Sequence, residues 1–549
     1  MGWREVDERE SAFTLMVGRR PGGLGGRVGR WLVAVPIAAL LLSALPAMPF
    51  ASPLPSSHAG PSAPAELVVP AFSPAPGVRA IGALPPGEVL RVAVSLVPSG
   101  GAGLSTFATE VSTPGTSSYG HFLSPDGLAT TFGASQRAVA GAAGYFESYG
   151  LSVTASPDRL FLSVSGPAGS VASAFHTQFE RYRAGGATFF AHPSPASLPA
   201  IAPWYGVLGL GNLTEIRPLT PALSYGPASG GCTGNSGGYP ISPCGMAAAY
   251  GYAGLWAQGK NGSGTRIGVV DVFDSSENTA SLSSDLASFT KNFGLETPQV
   301  SFAYPTESEA NLNHTGPDGW SVEDALDLQW VHGAAPGAAI TDALAPNNDP
   351  GLYGAVDSLV ASHAVDEISL SWGEPDVGKF NLFSTPCPFE CNASSDGSYA
   401  MLHPVLEAAA AEGIGVFVAS GDCGASDGTS GLSTDYPSSD PFATGVGGTV
   451  LTPNSDGTYS SESAWSGNSS GGSSPGCANQ GGSGGGYSEF PRPAWQAGTG
   501  VPANPATRGV PDVSIDAATG AALFYQGVEA SASGTSLGAP LWTGIAAIA

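Results

Sequence analysis

The chain has 549 residues, and 44 Asp and Glu against 19 Lys and Arg give it a net charge of -25 at pH 7. This acidity argues against nucleic acid or an anionic membrane surface as a partner, because both are polyanions. Only 11% of the residues are charged, whereas Gly and Pro number 78 and 47. That composition is typical of a loop-rich extracellular protein, and its few basic groups are compatible with work at low pH.

The N-terminal segment 1–51 has the pattern of a secretory signal. Four arginines precede an uninterrupted apolar run at 31–50: Arg19, Arg20, Arg27 and Arg30. Met16 would give a more typical start, and Ala47 or Ala51 could end the signal. The run is also long enough to span a bilayer, so an uncleaved anchor is the alternative. We expect a secreted protein, with membrane contact only if this segment is retained.

Residues 52–85 are rich in Pro, Ala and Ser and are predicted to be a flexible linker. A compact α+β domain is predicted over 86–215. Its expected strands are "VLRVAVSLVP", "LSVTAS", "RLFLSVSG" and "ATFFAH", and its expected helices are "GLSTFATEVS", "AVAGAAGYFESYG" and "SVASAFHTQFERY". It has no cysteine and no cluster of catalytic side chains, which indicates a role other than chemistry.

A second linker is predicted at 216–244, followed by a larger domain at 245–549. Apolar strand patterns alternate there with the helical patterns "SVEDALDLQWVHG" and "YAMLHPVLEAAAAEG". The strand patterns are "TRIGVVDVFD", "DEISLSWG", "GIGVFVASGD" and "FATGVGGTVL". This order predicts an α/β domain with a mostly parallel sheet covered on both faces, with active residues at the carboxyl ends of its strands.

All six cysteines lie beyond residue 230, and an even number in an exported chain indicates disulfides. Proximity favours three pairs among 15 possible pairings: Cys232 with Cys244, Cys387 with Cys391, and Cys423 with Cys477. A zinc site is the rival interpretation, but the spacings lack paired C-x-x-C units.

The stretch "ASASGTSLGAP" at 530–540 has the small residues of a tight turn before a helix, which would present Ser536 as a nucleophile. Serine needs a base to remove its proton. His332, in "WVHGAAPGA", lacks the surrounding motif of a subtilisin histidine, and we interpret both it and Asp271 as structural. Glu323 and Asp327 are four residues apart on a predicted helix, where two adjacent carboxyls share a proton because both cannot ionise cheaply.

The order of these motifs resembles the sedolisin family of serine-carboxyl peptidases. It runs from Glu-x-x-x-Asp through "SLSWGE", "ASGD", "GVGGT" and "GGGYSEF" to "GTSLGAP". The preceding domain, with "SSYGHFLSP" and "SGPAGSVASAFHTQF", resembles the family's activation propeptide, so the resemblance covers nearly the whole chain after the signal. It implies a subtilisin-like doubly wound fold for the peptidase domain.

The resemblance also implies a role for each matching residue. Ser536 corresponds to the nucleophile, Glu323 to the group that takes its proton, and Asp327 to the partner that holds Glu323. Asp422, in "ASGD", corresponds to the acid that donates a hydrogen bond to the oxyanion. A carboxyl can donate only when protonated, and Glu and Asp have ordinary pKa values of about 4.3 and 3.9. We therefore expect activity well below neutral pH.

The resemblance further implies that the strand with Ser371, Trp372 and Gly373 lines the substrate cleft, where we expect it to pair with an extended peptide. The resemblance implies a calcium ion in the complete parent protein, with its ligands beyond Ala549, and we expect 245–549 to be a C-terminally incomplete domain. The expected partners are polypeptide substrates and the chain's own propeptide as inhibitor.

These features predict a secreted, propeptide-activated acid endopeptidase. Two alternatives stay open at this point. One is a tripeptidyl exopeptidase of the same family, and the other is a catalytically inactive surface or binding protein.

Overall fold

The computed structural model describes residues 66–74, 77–184, 187–212, 216–219, 223–225, 240–312, 319–376, 381–382, 385–386, 397–429, 431–466, 481–498, 501 and 506–549. All of them belong to one unit, His58–Ala549. The predicted signal or anchor lies outside these ranges. No helix within them is apolar and long enough to cross a bilayer.

The N-terminal region is built on an antiparallel sheet of four strands. Their order across the sheet is Ser152–Ala155, Phe161–Pro167, Val89–Leu96 and Trp204–Leu208. The apolar side chains of Val89–Leu96 enter a core that also holds Phe146 and Phe175. Helices lie at Gly103–Ser112, Pro125–Thr131, Gln136–Glu147 and Ala168–Ala174. The side chains of Ser124 and Ser135 cap two of these helices, as their residue type favours.

One predicted helix of this region is wrong in its second half. The helix in "SVASAFHTQFERY" ends at Ala174, and Glu180–Ala184 is a strand that pairs with Ala187–Ala191. Stacking of Tyr182 on Phe189, with ring centroids 5.5 Å apart, stabilises this strand pairing. Long-range pairing therefore overrides the local helical pattern.

The two predicted linkers are partly ordered. In 52–85, Leu67–Val69 pairs with Ala196–Leu198, and Arg79–Ala83 pairs with Glu180–Ala184. In 216–244, the described residues include two short strands, Arg217–Pro218 and Ser224–Tyr225. Composition alone predicted flexibility, but these segments have strand partners elsewhere in the chain that satisfy their backbone groups.

The C-terminal region contains a sheet of eight described strands. Seven run parallel: Gln299–Ala303, Ala339–Ala345, Arg266–Val272, Glu367–Leu370, Gly415–Ala419, Thr444–Pro453 and Val513–Asp516. Tyr459–Ala464 pairs antiparallel with Thr444–Pro453 at one edge. Apolar side chains from both faces of this sheet are buried in two core clusters. The predicted α/β class with a mostly parallel sheet is confirmed.

Helices and short hairpins surround this sheet. The helices are Pro243–Ala249, Ala253–Trp256, Thr279–Phe293, Trp320–Ala334, Asp349–Ala361, Ser398–Glu412 and Thr535–Ile548. Short 3-10 turns lie at Ser275–Glu277, Glu309–Asn311 and Gly424–Ser426. The remaining strands are Trp372–Pro375, Asn381–Leu382, Thr385–Pro386, Asp435–Tyr436, Gly486–Pro491, Thr507–Val510, Ala521–Tyr525 and Val528–Ala532.

The N-terminal region packs on the helices Asp349–Ala361 and Ser398–Glu412. The Ser95 hydroxyl donates a hydrogen bond to the backbone oxygen of Ala400 at 2.6 Å, and the Leu123 N–H donates to Ala411 at 2.9 Å. Phe161 joins the apolar cluster that contains Tyr353. The two regions thus share a continuous apolar core.

Cys244 and Cys423 each take part in a disulfide bond. The other four cysteines lie outside the described residues, and the three predicted pairings stay predictions.

Candidate active site

Ser536 is the second residue of the helix Thr535–Ile548, which we call the Ser536 helix. Gly534 precedes it with a φ of 139°, a backbone conformation that favours glycine and lets the chain turn sharply from a strand into a helix. Ser536 is fully buried, and its hydroxyl donates a hydrogen bond to the backbone oxygen of Leu219 at 2.6 Å. The predicted turn and helix therefore place this hydroxyl against the linker.

Glu323 and Asp327 are fully buried and lie one turn apart on the helix Trp320–Ala334, which we call the acid helix. The acid helix packs against the Ser536 helix. The Ser371 hydroxyl donates to Oδ1 of Asp327 at 2.8 Å and lies 3.3 Å from the backbone oxygen of Ser536. Ser371 thus connects the acid helix to the nucleophile's backbone.

The carboxyl of Asp327 lies in a group of buried acids. Burial raises the pKa of Asp327 well above its ordinary value, the hydrogen bond from Ser371 lowers it, and the charge of Asp342 raises it. Burial also raises the pKa of Asp271, with further increases from Asp327, Asp324 and other neighbouring acids including Glu323. Because each ionised carboxylate makes ionisation of its neighbours less favourable, the carboxyls of this group tend to stay protonated.

Asp324 and Asp342 are neighbouring carboxyls beside this group, and after burial the charge of Asp342 is the largest cause that raises the pKa of Asp324. Both are buried, and burial raises the pKa of Asp342 to about 7. The sequence analysis did not single out either residue. Their signal was available, since Asp324 directly follows Glu323 and Asp342 interrupts the apolar strand Ala339–Ala345.

Asp422 follows the strand Gly415–Ala419 and lies at the start of the Ser536 helix. Its Oδ1 accepts hydrogen bonds from both the backbone N–H and the hydroxyl of Thr535, each at 2.8 Å. The Thr535 hydroxyl oxygen in turn accepts from the N–H of Gly421 at 3.2 Å. These contacts hold the Asp422 carboxyl next to the residue that precedes Ser536.

The second linker runs through this site as an added strand. Arg217 lies opposite Gly373 and Pro218 opposite Trp372 in an antiparallel pairing. The Leu219 N–H donates to the backbone oxygen of Ser371 at 3.0 Å. Sequence reasoning did not identify Leu219, because a single linker leucine has no local signal.

Leu219 has a buried side chain in a cluster with Ala419 and Ala539. Ala419 ends the strand that leads to Asp422, and Ala539 lies on the Ser536 helix. Beyond the linker residues 220–222, Ser224–Tyr225 pairs with Val528–Ala532. The described linker residues are therefore held by strand pairing at both 217–218 and 224–225.

The three residues assigned to substrate binding differ in which of their groups can contact a bound strand. Ser371 and Trp372 meet the linker through their backbone, whereas the Trp372 indole is buried and donates to the oxygen of Val270 at 2.7 Å. At Gly373, a Cβ atom would lie 1.8 Å from Oδ1 of Asp435. Only glycine fits there, because any side chain would collide with Asp435.

His332 is fully buried within the acid helix, and burial lowers its pKa to about 4. An imidazole with so low a pKa is a poor proton acceptor near neutrality.

Within the described ranges, one group of acids has oxygens close enough to hold a cation: Asp271, Asp324 and Asp342. These residues are not the calcium ligands predicted from the resemblance, which were placed beyond Ala549. The calcium ion of the complete parent protein stays a prediction.

The relatives of this chain are serine-carboxyl peptidases, which makes it a serine-type peptidase with a preceding activation region. Residues 76–202 match the family described as Pro-kumamolisin, activation domain. The chain is 28% identical over 541 residues to sedolisin of Pseudomonas sp. (strain 101), covering 94% of this chain and 84% of the relative. It is 29% identical over 445 residues to kumamolisin of Bacillus sp. (strain MN-32), covering 77% and 74%. It is also 29% identical to xanthomonalisin of Xanthomonas sp. (strain T-22), covering 85% and 58%.

Among solved structures, the chain resembles Pseudomonas sedolisin, a serine-carboxyl proteinase complexed with two molecules of pseudo-iodotyrostatin. The TM-score is 0.48 and the identity 27%, over 59% of this chain and 81% of that one. The sequence comparisons confirm the predicted relationship. Residues 76–202 match a pro-kumamolisin activation domain, and most of the chain is similar to the serine-carboxyl peptidases sedolisin, kumamolisin and xanthomonalisin.

Proposed function

We propose that the protein is a secreted acid endopeptidase that uses Ser536 as nucleophile and Glu323, rather than a histidine, as the base. Asp327 holds Glu323 and shares its proton, and Asp422 donates a hydrogen bond to the oxyanion. The observation that carries the proposal is the 2.6 Å hydrogen bond between the Ser536 hydroxyl and the carbonyl oxygen of Leu219. This contact places a peptide carbonyl of an added strand beside the hydroxyl, in the position that a bound substrate strand would take.

The chemistry begins when Oγ of Ser536 attacks a substrate carbonyl carbon. Its proton passes to Glu323, which later returns it to the leaving amine. The first backbone N–H groups of the Ser536 helix have no partner within the helix and carry its positive dipole end, which suits them to the developing oxyanion. Asp422, at the same helix start, adds a donor when it is protonated.

This arrangement ties activity to acid conditions. The buried acids around Asp327 favour protonated carboxyls, and the oxyanion role of Asp422 needs a proton. At neutral pH the loss of these protons would bring several negative charges together in a buried site. The activity is therefore expected to rise as pH falls below neutrality.

The path of the linker supports an endopeptidase over a tripeptidyl exopeptidase. The chain extends on the N-terminal side of Leu219 through Arg217 and Ile216 and continues into the activation region. A site that accepts a long chain on that side does not require a free N-terminus three residues from the cut. The same path supports the activation domain as an intramolecular inhibitor, because its linker fills the position of a substrate.

Secretion, the three disulfide pairs and a calcium ion in the complete parent protein form part of this proposal. Secretion is supported by the basic and apolar pattern of 1–51, and disulfides suit an oxidising compartment.

The test is cleavage of an unfolded protein between pH 3 and pH 8 by the purified chain and three variants. Ser536→Ala and Glu323→Gln are expected to abolish cleavage at every pH, whereas Asp456→Asn, in an exposed turn, serves as the control. Retained cleavage by Glu323→Gln, or a maximum at pH 7 to 8 for the unaltered chain, would contradict the proposal. Analysis of the products separates internal cuts from release of tripeptides.

A further inference from the structure

The proposed mechanism gives no role to the glycine-rich segment, residues 481–486, whose last glycines open the motif "GGGYSEF". We propose that this segment is a positioning element for the oxyanion acid. Its backbone binds residues 420–424, which we call the Asp422 loop, and thereby fixes the Asp422 carboxyl at the start of the Ser536 helix. The proposal rests on the proposed function of Asp422 and adds the residues that hold it in place.

The two segments are joined by three backbone hydrogen bonds. The N–H of Gly482 donates to the backbone oxygen of Asp422 at 2.8 Å, and the N–H of Gly424 donates to that of Gly482 at 2.9 Å. The N–H of Gly484 donates to the backbone oxygen of Gly421 at 2.6 Å. Asp422 and a residue on each side of it are therefore bonded to the same segment.

Glycine is required at position 484, because the two backbones approach more closely than a side chain allows. A Cβ atom at Gly484 would lie 1.8 Å from the backbone oxygen of Ser420 and 3.0 Å from Cα of Gly421. The Ser420 hydroxyl also donates a hydrogen bond to the backbone oxygen of Gly484 at 3.0 Å. The missing side chain thus lets the segment contact the two residues that directly precede Asp422.

The glycine-rich segment is also bonded to the central sheet. The N–H of Gly448, in the parallel strand Thr444–Pro453, donates to the Ser483 hydroxyl oxygen at 2.9 Å. The N–H of Ser483 donates to the backbone oxygen of Trp465 at 3.1 Å. The segment therefore connects the Asp422 loop to a rigid part of the fold.

The position of the Asp422 carboxyl matters, because an oxyanion donor acts only within about 2.7–3.1 Å of the developing charge. Thr535 holds this carboxyl from the Ser536 helix through its N–H and its hydroxyl, each at 2.8 Å. The glycine-rich segment holds the backbone of the same residue. A shift of the Asp422 loop would therefore misplace the donor while leaving the other catalytic groups in the chain.

Gly484→Ala tests the role of the segment, in assays of the activated enzyme on a peptide in acid. The added Cβ and the Ser420 oxygen must move apart from 1.8 Å to at least 3.0 Å. Because a misplacement of about 1 Å can cost about 100-fold in rate, kcat should fall about 30- to 100-fold. KM should change less than about threefold, since the donor acts in the transition state.

Gly509→Ala is the matched control. Gly509 lies in the strand Thr507–Val510, which pairs with the motif at Tyr487, and a Cβ there would meet its nearest neighbour at 3.8 Å. Its kcat should stay within about twofold of the parent's, because nothing has to move. An unchanged kcat in Gly484→Ala would overturn the proposal.

A double-mutant cycle separates positioning of Asp422 from a general loss of structure. In the Asp422→Ala chain the donor is already absent, so Gly484→Ala should lower kcat no further than about threefold there. Effects that multiply fully would show that the segment acts independently of Asp422, and would contradict the proposal. Thermal unfolding of each variant checks that it is folded.

Ser420→Ala replaces Gly484→Ala in the cycle if the latter does not fold. It removes the 3.0 Å hydrogen bond to Gly484 without adding an atom. We expect kcat to fall about 3- to 10-fold in the parent and to stay unchanged in the Asp422→Ala chain. Ser369→Ala is its control, because Ser369 is also fully buried and its hydroxyl has no hydrogen-bond partner among the described residues. Equal kcat values for the two serine variants would count against the proposal.

Failure of this proposal can be told apart from failure of the proposed function. If Asp422→Ala itself left kcat unchanged, the proposed function would fail at Asp422. If Asp422→Ala lowered kcat but Gly484→Ala did not, only the positioning role of the glycine-rich segment would fail.

Discussion

Ser371 connects the acid helix to the nucleophile, and its removal should move the pH profile of the peptidase. Its hydroxyl donates to Asp327 at 2.8 Å and lowers the pKa of that carboxyl against the effect of burial. A hydrogen bond to a charged group contributes about 1.5–3 kcal/mol. At about 1.4 kcal/mol per pKa unit, Ser371→Ala should raise the pKa of Asp327 by about 1 to 2 units.

The direction of the change in the profile follows from the shared proton. If Glu323 and Asp327 act with one proton between them, a higher pKa at Asp327 makes both the gain of a second proton and the loss of the shared one occur at higher pH. Both limbs of the bell-shaped profile of kcat/KM should therefore move upward, with a lower maximum because Asp327 is less well held.

The assay is kcat/KM of the activated enzyme on a peptide substrate over pH 2 to pH 8. Ser369→Ala is the matched control, because Ser369 is also fully buried, lies two residues away, and has a hydroxyl without a hydrogen-bond partner in the structure. Its profile should keep the parent's position. A Ser371→Ala profile that superimposes on the parent's would refute the reasoning.

Three further predictions concern other contacts. Asp422→Asn should lower kcat on a peptide about 100- to 1000-fold, as expected for loss of an oxyanion donor, and an unchanged kcat would remove Asp422 from that role. Burial raises the pKa of Asp342 to about 7, so the stabilising effect of its proton is present below about pH 4 and is lost as pH rises towards 7. In denaturant titrations, Asp342→Asn should therefore reduce the decrease in unfolding free energy between about pH 4 and pH 7. Asp456→Asn should leave this decrease unchanged. Ser95→Ala removes the 2.6 Å hydrogen bond to Ala400 and should weaken inhibition by the separate activation domain about 2- to 10-fold, whereas Ser148→Ala, at an exposed site, should not.

Local patterns in the sequence predicted most of the elements that form the active site. The apolar strands of the parallel sheet, the acid helix and the turn before Ser536 each have a strong signal of their own. The strand Glu180–Ala184 did not, because its residues become a strand only through pairing with Arg79–Ala83 and Ala187–Ala191. Long-range partners of this kind cannot be identified from a single sequence.

The same limit applies to the residues around the active site. Asp271 was interpreted as structural, yet its carboxyl is fully buried in the field of Asp327 and Asp324. Leu219 was not singled out, because its position depends on register along Ser371–Gly373. Residue type and spacing indicated Ser536, Glu323 and Asp327, and the family resemblance added Asp422, whereas the neighbours of these residues depend on tertiary packing.

The most direct test of the central claim measures how fast an acyl-directed serine reagent labels Ser536 as a function of pH. Labelling located at Ser536 by mass spectrometry should be fastest well below neutral pH and should be lost in Glu323→Gln. A rate that rises through pH 6 to 7 to a plateau, and that persists in Glu323→Gln, would instead indicate an imidazole base and contradict the proposed mechanism.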